Sequence, residues 1–316
     1  CFNQLNKLDY NNFFVTVVLD FYKNKLIPKY KYKIKVIVTG KKNMSLKRNL
    51  AVKKNKSKYI AFLDSDAYPS RGWLKIGEKY LKEKKADIVG GPSLPFPKKK
   101  FLQSLTYFSK RSYFVTGYQS FRKYKSPARF CDWIESCNII MERKFFLKFK
   151  GMNKNIYTGE DKEFIERIRK TKSNLKVYHC PKLYIFHNER NYFGFLLQRM
   201  TFGMDFINLV NPSLGIRGFQ SLIPLAITLF YLTFFFLAYK FADVRNEIIY
   251  LFWIFMIVTL IIFIEVTKYV KSIKLIIPTI FTIMLANIFF ALGGILSILG
   301  FRENLVRSIY RKSKKT

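Results

Sequence analysis

The sequence predicts an α/β domain with a mostly parallel sheet, followed by C-terminal transmembrane helices. Three observations carry that expectation. Short apolar runs alternate with amphipathic helical segments up to about residue 215, three long apolar stretches follow, and one of the early runs ends in two carboxylates one residue apart. Residues 13–20 form a near-continuous apolar strand, residues 34–39 a second and residues 59–63 a third. Runs of this kind, without polar alternation, belong to strands buried on both faces, as in parallel sheets. Helices are expected over residues 46–54 and from near Ser70, where Trp73, Leu74, Tyr80 and Leu81 share a face, before Ile88 and Val89 open a further strand. Strands alternating with helices argue an α/β layer structure, whose ligands bind at the carboxyl ends of the strands. Asp20, Asp64 and Asp66 all fall at strand ends.

The third strand, Tyr59-Ile60-Ala61-Phe62-Leu63, runs into Asp64-Ser65-Asp66. Carboxylates at i and i+2 leave a strand end on the same side, and such a pair suits Mg²⁺ or Mn²⁺. An ion held by so few protein oxygens takes its other ligands from water and substrate phosphates, which points to a phosphorylated substrate. A solvated Asp-Ser-Asp turn before Pro69 is the plainer reading of the tripeptide alone. His187, at the end of the short run 183–186, is a chemically sensible third ligand for Mn²⁺ beside the two aspartates.

A second acidic cluster stands at Thr158-Gly159-Glu160-Asp161 and leads into a helix whose Phe164, Ile165 and Ile168 share a face. Thr158 as N-cap with Asp161 three residues on resembles a capping box, and acids in a first turn complement the helix dipole. Capping and catalysis are compatible, because a cap fixes the position of a carboxylate. Further on, Phe193, Leu196, Leu197, Met200, Met204 and Ile207 recur at helical spacing, with Gln198 and Arg199 to one side. That stripe suits a helix lying on a membrane interface.

The apolar stretches 219–239, 248–266 and 275–299 are each long enough to cross a bilayer core of roughly 30 Å, for which about 20 apolar residues suffice. Ala291, Gly293, Gly294, Ser297 and Gly300 make a small-residue patch that lets another helix approach closely. The chain carries 56 Lys and Arg against 20 Asp and Glu, a formal charge of +36, and basic residues flank every apolar stretch. This distribution suits anionic headgroups at a cytoplasmic surface. It is not the footprint of a nucleic-acid partner, because the lysines are scattered through an apolar chain with no zinc-finger, homeodomain or RNA-binding signature. Lys268, Lys271 and Lys274 and the basic tail 301–316 both ask to be cytoplasmic, yet one span separates them. Either the third stretch is re-entrant or interfacial, or the tail departs from the positive-inside rule. Cysteines 1, 131, 137 and 180 have neither disulfide-framework nor zinc-finger spacing, so reduced thiols are expected.

Taken in order, Phe62-Leu63-Asp64-Ser65-Asp66, the strand start Glu135-Ser136-Cys137-Asn138, Gly159-Glu160-Asp161, His187 and Gln198-Arg199 resemble the family 2 glycosyltransferases with a GT-A fold, in particular the membrane-bound branch with C-terminal helices. Lys47-Arg48-Asn49 resembles the Ala-Arg-Asn stretch of that family, and Phe149-Lys150-Gly151-Met152-Asn153 the segment ahead of its Glu-Asp motif. The resemblance implies transfer from a nucleoside diphosphate sugar to a lipid-linked or cell-surface glycan, with inversion, Mg²⁺ or Mn²⁺ dependence, and a multi-pass location in the cell membrane with the catalytic domain cytoplasmic. By the same resemblance Asp161 is the general base supported by Glu160. Asp20, Arg48 and Asp64 bind the nucleotide sugar, Gln198, Arg199 and Asn138 serve the acceptor and diphosphate, and Asp66, Asp64 and His187 hold the metal.

The resemblance also divides the chain into a catalytic domain over 1–190, an interfacial segment over 191–217, a membrane region of two to three helices over 218–300 and a basic tail over 301–316. The family opens with a strand ahead of the helix in which this chain begins, at Cys1-Phe2-Asn3-Gln4-Leu5, so a first strand is expected to be lacking. Residues 92–129, rich in Lys, Phe and Tyr, are expected as a specificity loop. Two other functions fit parts of the pattern: an inactive, membrane-anchored nucleotide-sugar-binding protein, and a haloacid-dehalogenase-like phosphohydrolase with Asp64 as nucleophile.

Overall fold

The computed structural model describes residues 1–22, 30–97, 100–156, 159–209, 236, 239, 245–301 and 308. These divide into two compact units, Cys1–Phe96 with Phe121–Asn188, and Pro97–Ser120 with Glu189–Thr316. Of the sequence expectations, the apolar stretch 219–239 apart from Phe236 and Tyr239, the cap residue Thr158 and nearly all of the basic tail lie outside the described residues.

In the first unit β1 (Phe14–Leu19) and β2 (Lys33–Val38) pair in parallel, Phe14 opposite Lys33 and Leu19 opposite Val38. A five-stranded sheet runs in the order β3 (Tyr59–Leu63), β8 (Asn138–Glu142), β5 (Ile88–Gly90), β9 (Val177–His179), β7 (Arg129–Phe130). A three-stranded sheet places β10 (Ile185–His187) between β4 (Ala67–Pro69) and β6 (Ser93–Pro95). The expectation of a mostly parallel sheet is corrected: β8 runs antiparallel to both β3 and β5, β7 is antiparallel to β9, and β10 is antiparallel to β4. The sheets are mixed. An apolar run such as Ile139-Ile140-Met141 reports burial on both faces and says nothing of direction.

That two-sided burial is visible along each strand. Successive strand side chains point to opposite faces. Thus Ile140, Val89 and Tyr178 join one core with Trp73 and Leu81 of α3 (Trp73–Glu83), while Ile139, Met141, Ile88 and Val177 join another with Phe164, Ile165 and Ile168 of α7 (Glu160–Thr171). The predicted apolar face of α7 is wholly buried, and its acids at the start and Arg169 and Lys170 at the end complement the helix dipole. The other helices of this unit are α1 (Phe2–Leu5), α2 (Met44–Lys53) and α6 (Arg143–Lys148).

The second unit gathers α4 (Phe101–Arg111) and α5 (Tyr113–Thr116) with α8 (Tyr192–Leu209), α9 (Arg245–Thr267) and α10 (Ile273–Ile298). Residues 97–120 group with this second unit, and much of the expected specificity loop is helical. Phe108, Phe114 and Val115 pack with Phe195, Leu196, Ile262, Val266, Ile280 and Ile283, so burial of apolar side chains fixes this segment. At the turn into α5, Glu265 accepts from Ser112 Oγ and Tyr113 N, each at 2.6 Å. The small-residue patch of α10 receives α8: a Cβ on Gly293 would stand 2.0 Å from the Met200 carbonyl oxygen, and one on Gly203 1.9 Å from that of Phe290. This contact alters the expectation for α8. Arg199 is only 7% exposed, lies over the Phe290 ring and donates from Nε to the Ala286 carbonyl, so the face bearing it packs on α10 instead of standing aside from the apolar stripe.

Backbone atoms cannot yield as a flexible side chain can, so Gly293→Leu must separate α8 from α10. We expect a stability loss of about 1–3 kcal/mol or more, read as a lowered melting temperature and earlier proteolysis within α8 for the chain in detergent.

Candidate active site

The site of the first unit is assembled on strand ends and helix starts. Leu63 ends β3, and Asp64 and Asp66 follow it; Ala67 then begins β4, antiparallel to β10, whose residue His187 lies opposite Ala67. That pairing brings His187 back to the acid pair. Its Nε2 stands 3.4 Å from Asp64 Oδ2 and 3.5 Å from Asp66 Oδ1. Its Nδ1 lies 2.8 Å from the Asn188 carbonyl oxygen, which only accepts, so Nδ1 carries the proton and Nε2 is directed to the carboxylates.

Arg48, on α2, joins this cluster to the second one. Nη2 reaches Asp64 Oδ1 at 3.1 Å and Nη1 reaches Glu160 Oε1 at 2.7 Å, with the guanidinium 5.7 Å from the Phe62 ring centroid. Burial works against the charge of Arg48, but Glu160 and Asp64 outweigh it and hold its pKa above the usual value. Burial likewise opposes ionisation of Asp64, and His187 and Arg48 reverse that, leaving its pKa below the ordinary carboxylate value. The imidazole of His187 follows the same logic: burial lowers its pKa, and the bond to Asp64 with the charge of Asp66 raises it above normal.

Asp161 behaves differently. Burial first, and then the neighbouring charge of Glu160, push its pKa up to about 6, although the backbone N–H groups of Ser136 and Lys162 both donate to it at 2.8 Å. The N-cap of α7 is Gly159, in the left-handed region at φ 73°, a conformation that Gly adopts without strain. The capping box expected from Thr158 to Asp161 rests on Thr158, which lies outside the described residues. Glu160 and Asp161 open the first turn, with Ser136 Oγ 3.4 Å from Glu160.

The remaining expected residues fall as follows. Asp20, just beyond β1, pairs with Lys47 of α2 at 2.5 Å. Asn49, next to Arg48, donates to the Met152 carbonyl and accepts from its N–H at 2.7 and 2.9 Å, tying two of the sequence motifs together. Asn138, expected at the acceptor or diphosphate, is 1% exposed and hydrogen-bonded inside the fold. It accepts from Trp73 Nε1 at 2.8 Å and donates to the Gly91 and Leu183 carbonyls at 2.9 and 2.7 Å. Gln198 and Arg199 belong to the second unit.

Three neighbours were not assigned from the sequence. Glu135 accepts from Lys123 at 2.7 Å and lies 3.3 Å from Arg122; burial favours its neutral form, but those cations hold its pKa at about 2. Ser136 supplies the bond to Asp161 already described. Cys137 has a ligating atom within 4.8 Å of those of Asp64 and His187. Their only sequence signal was membership of the Glu135-Ser136-Cys137-Asn138 motif.

The donor set fits a divalent ion. Two carboxylates suit Mg²⁺ or Mn²⁺, an imidazole with its other nitrogen anchored to a carbonyl is a prepared ligand, and Asp66, 52% exposed, is open to an incoming ion.

An α/β unit of mixed sheets with acid pairs at a strand end and a helix start is GT-A-like. Residues 1–145 match the family model described as "Glycosyl transferase family 2". Among solved structures, the chain is similar to S. aureus TarS at 17% identity and a TM-score of 0.39, covering 57% of this chain and 33% of that one. TarS 1–349 in complex with UDP matches at 17% identity and a TM-score of 0.39, over 56% of this chain and 54% of that one. TarS 1–349 in complex with UDP-GlcNAc matches at 18% and 0.37, over 56% and 52%. The chain thus spans between a third and about half of the length of these structures. No curated protein matches it by sequence.

Replacing Asn138 by Ala strands two buried carbonyls and the Trp73 N–H. We expect a loss of about 2–4 kcal/mol, measured by denaturation of the full chain, with Asn138→Asp also destabilising because the carboxylate cannot donate to either carbonyl.

Proposed function

We propose that this chain is a membrane-bound, inverting glycosyltransferase that transfers a sugar from a nucleoside diphosphate sugar to a lipid-linked or cell-surface glycan. The observation that carries this reading is the Arg48 bridge, which places the strand-end acids and the helix-start acids in one cluster. Asp64, Asp66 and His187 would hold Mg²⁺ or Mn²⁺, which when bound offsets the charge of the departing diphosphate. Asp20, Arg48 and Asp64 take the nucleotide sugar.

Asp161 removes the acceptor hydroxyl proton as that oxygen bonds to the anomeric carbon, and the bond from that carbon to the phosphate oxygen breaks with its electron pair on the diphosphate. A base with a pKa near 6 is mostly ionised at neutral pH, yet more basic than an ordinary aspartate. Glu160, paired with Arg48, stands beside it. The phosphohydrolase alternative is disfavoured, because both oxygens of Asp64 are engaged, one by Arg48 and the other by His187.

Membrane attachment is supported by α10, the one described helix long and apolar enough to cross a bilayer. Exposed Phe252, Trp253, Met256, Ile257, Leu260 and Ile264 of α9 add an apolar surface that suits acyl chains. An acceptor held at the membrane surface fits such an anchor, with the catalytic unit on the cytoplasmic side.

The test is release of nucleoside diphosphate by the full chain in membranes from a panel of UDP-, GDP- and dTDP-sugars, with Mn²⁺ or with EDTA. Release from one donor, abolished by EDTA and by Asp66→Ala and reduced at least ~10²-fold in Asp161→Asn, is expected; silence across the panel overturns the reading. Protonation of Asp161 removes the base, so kcat/KM should be flat above its pKa and fall as pH drops through about 6. That limb should be absent from the residual activity of Asp161→Asn.

A further inference from the structure

Cys137 is buried at the edge of the acid cluster, with its Sγ 3.7 Å from Ser93 Oγ. One ligating atom each from Asp64, Cys137 and His187 lies within 4.8 Å of the other two. Asp66 is not part of that mutually close trio. Around a tetrahedral Zn²⁺, with bonds of about 2.3 Å to sulfur and 2.0–2.2 Å to nitrogen and oxygen, ligand atoms stand about 3.3–3.6 Å apart. The 3.4 Å between His187 Nε2 and Asp64 Oδ2 already has that spacing. Cys137 needs a shift of only about 1 Å to complete it.

We propose that Asp64, Cys137 and His187 form a thiolate-bearing site that takes Zn²⁺, and that Zn²⁺ bound there inhibits the transferase. The thiol is the discriminating ligand. Thiolates select Zn²⁺ and other soft ions, whereas Mg²⁺ and Mn²⁺ keep to oxygen-rich ligand sets such as Asp64 with Asp66. Three protein ligands with a fourth position left for water make an open zinc site. Binding breaks the Cys137 S–H bond, forms S–Zn and releases one proton to solvent. It also occupies Asp64 Oδ2 and His187 Nε2, taking both from the hard-cation set. The inhibition half rests on the transferase reading; the binding half does not.

The full chain in detergent, stripped of metal, is titrated with Co²⁺ as a spectroscopic stand-in for Zn²⁺. A sulfur-to-cobalt charge-transfer band with four-coordinate d–d intensity is expected, displaced by Zn²⁺, lost in Cys137→Ser and retained in Cys1→Ser. Cys1 is the control because its Sγ lies 4.0 Å from the Asp64 carbonyl oxygen. His187→Ala, which leaves the thiol in place, should weaken Zn²⁺ binding at least about tenfold. Absence of the band, or its survival in Cys137→Ser, overturns the site. In the donor assay Zn²⁺ should inhibit the wild type and lose at least about tenfold in potency against Cys137→Ser; equal potency overturns the inhibitory role. A chain that binds Co²⁺ through Cys137 but releases no nucleotide from any donor would refute the transferase reading and leave the metal site standing.

Discussion

Arg48 is the residue on which the acid cluster of the first unit turns. A buried guanidinium must be paired, and here it is paired twice, to Asp64 after β3 and to Glu160 at the start of α7. The acids in turn require it: without a cation between them, Asp64, Glu160 and Asp161 would be a set of partly buried like charges. The same pairing separates their roles. Asp64 is held below the ordinary carboxylate value, while Asp161, bonded by the Ser136 and Lys162 N–H groups, is held above it.

The scaffold supplies position without taking part in the chemistry. A strand inserted antiparallel between β3 and β5 carries Asn138 at its head, and the amide there ties α3, Gly91 and Leu183 together. Beside it, the segment that leads into β8 delivers Ser136 to Asp161 and Cys137 to the acid cluster. In the second unit, close contact between α8 and α10 is set by glycine, and a carboxylate, Glu265, organises the turn into α5.

Much of this is legible from residues alone. Strands at 59–63 and 88–89, the buried face of α7 and the position of His187 at a strand end follow from apolar periodicity and chain punctuation, which are local signals. Strand direction is not local, so a run buried on both faces reads the same in a mixed sheet as in a parallel one. The helices of 101–116 were hidden for a related reason: their aromatic and basic residues look like a loop until Phe108, Phe114 and Val115 find partners far along the chain. Spacing likewise placed Asn138 in a motif but gave no sign of its bond to Trp73. Cys137 carries no metal signature in its neighbours, because its partners come from other strands.

The most direct test of the account is the donor turnover of Arg48→Gln, in a variant whose circular dichroism and melting show the fold retained. Loss of at least ~10²-fold in nucleoside diphosphate release, with the low-pH limb shifted because Glu160 and Asp161 have lost their shared cationic neighbour, is the predicted result. Turnover and a pH profile equal to those of the wild type would contradict it.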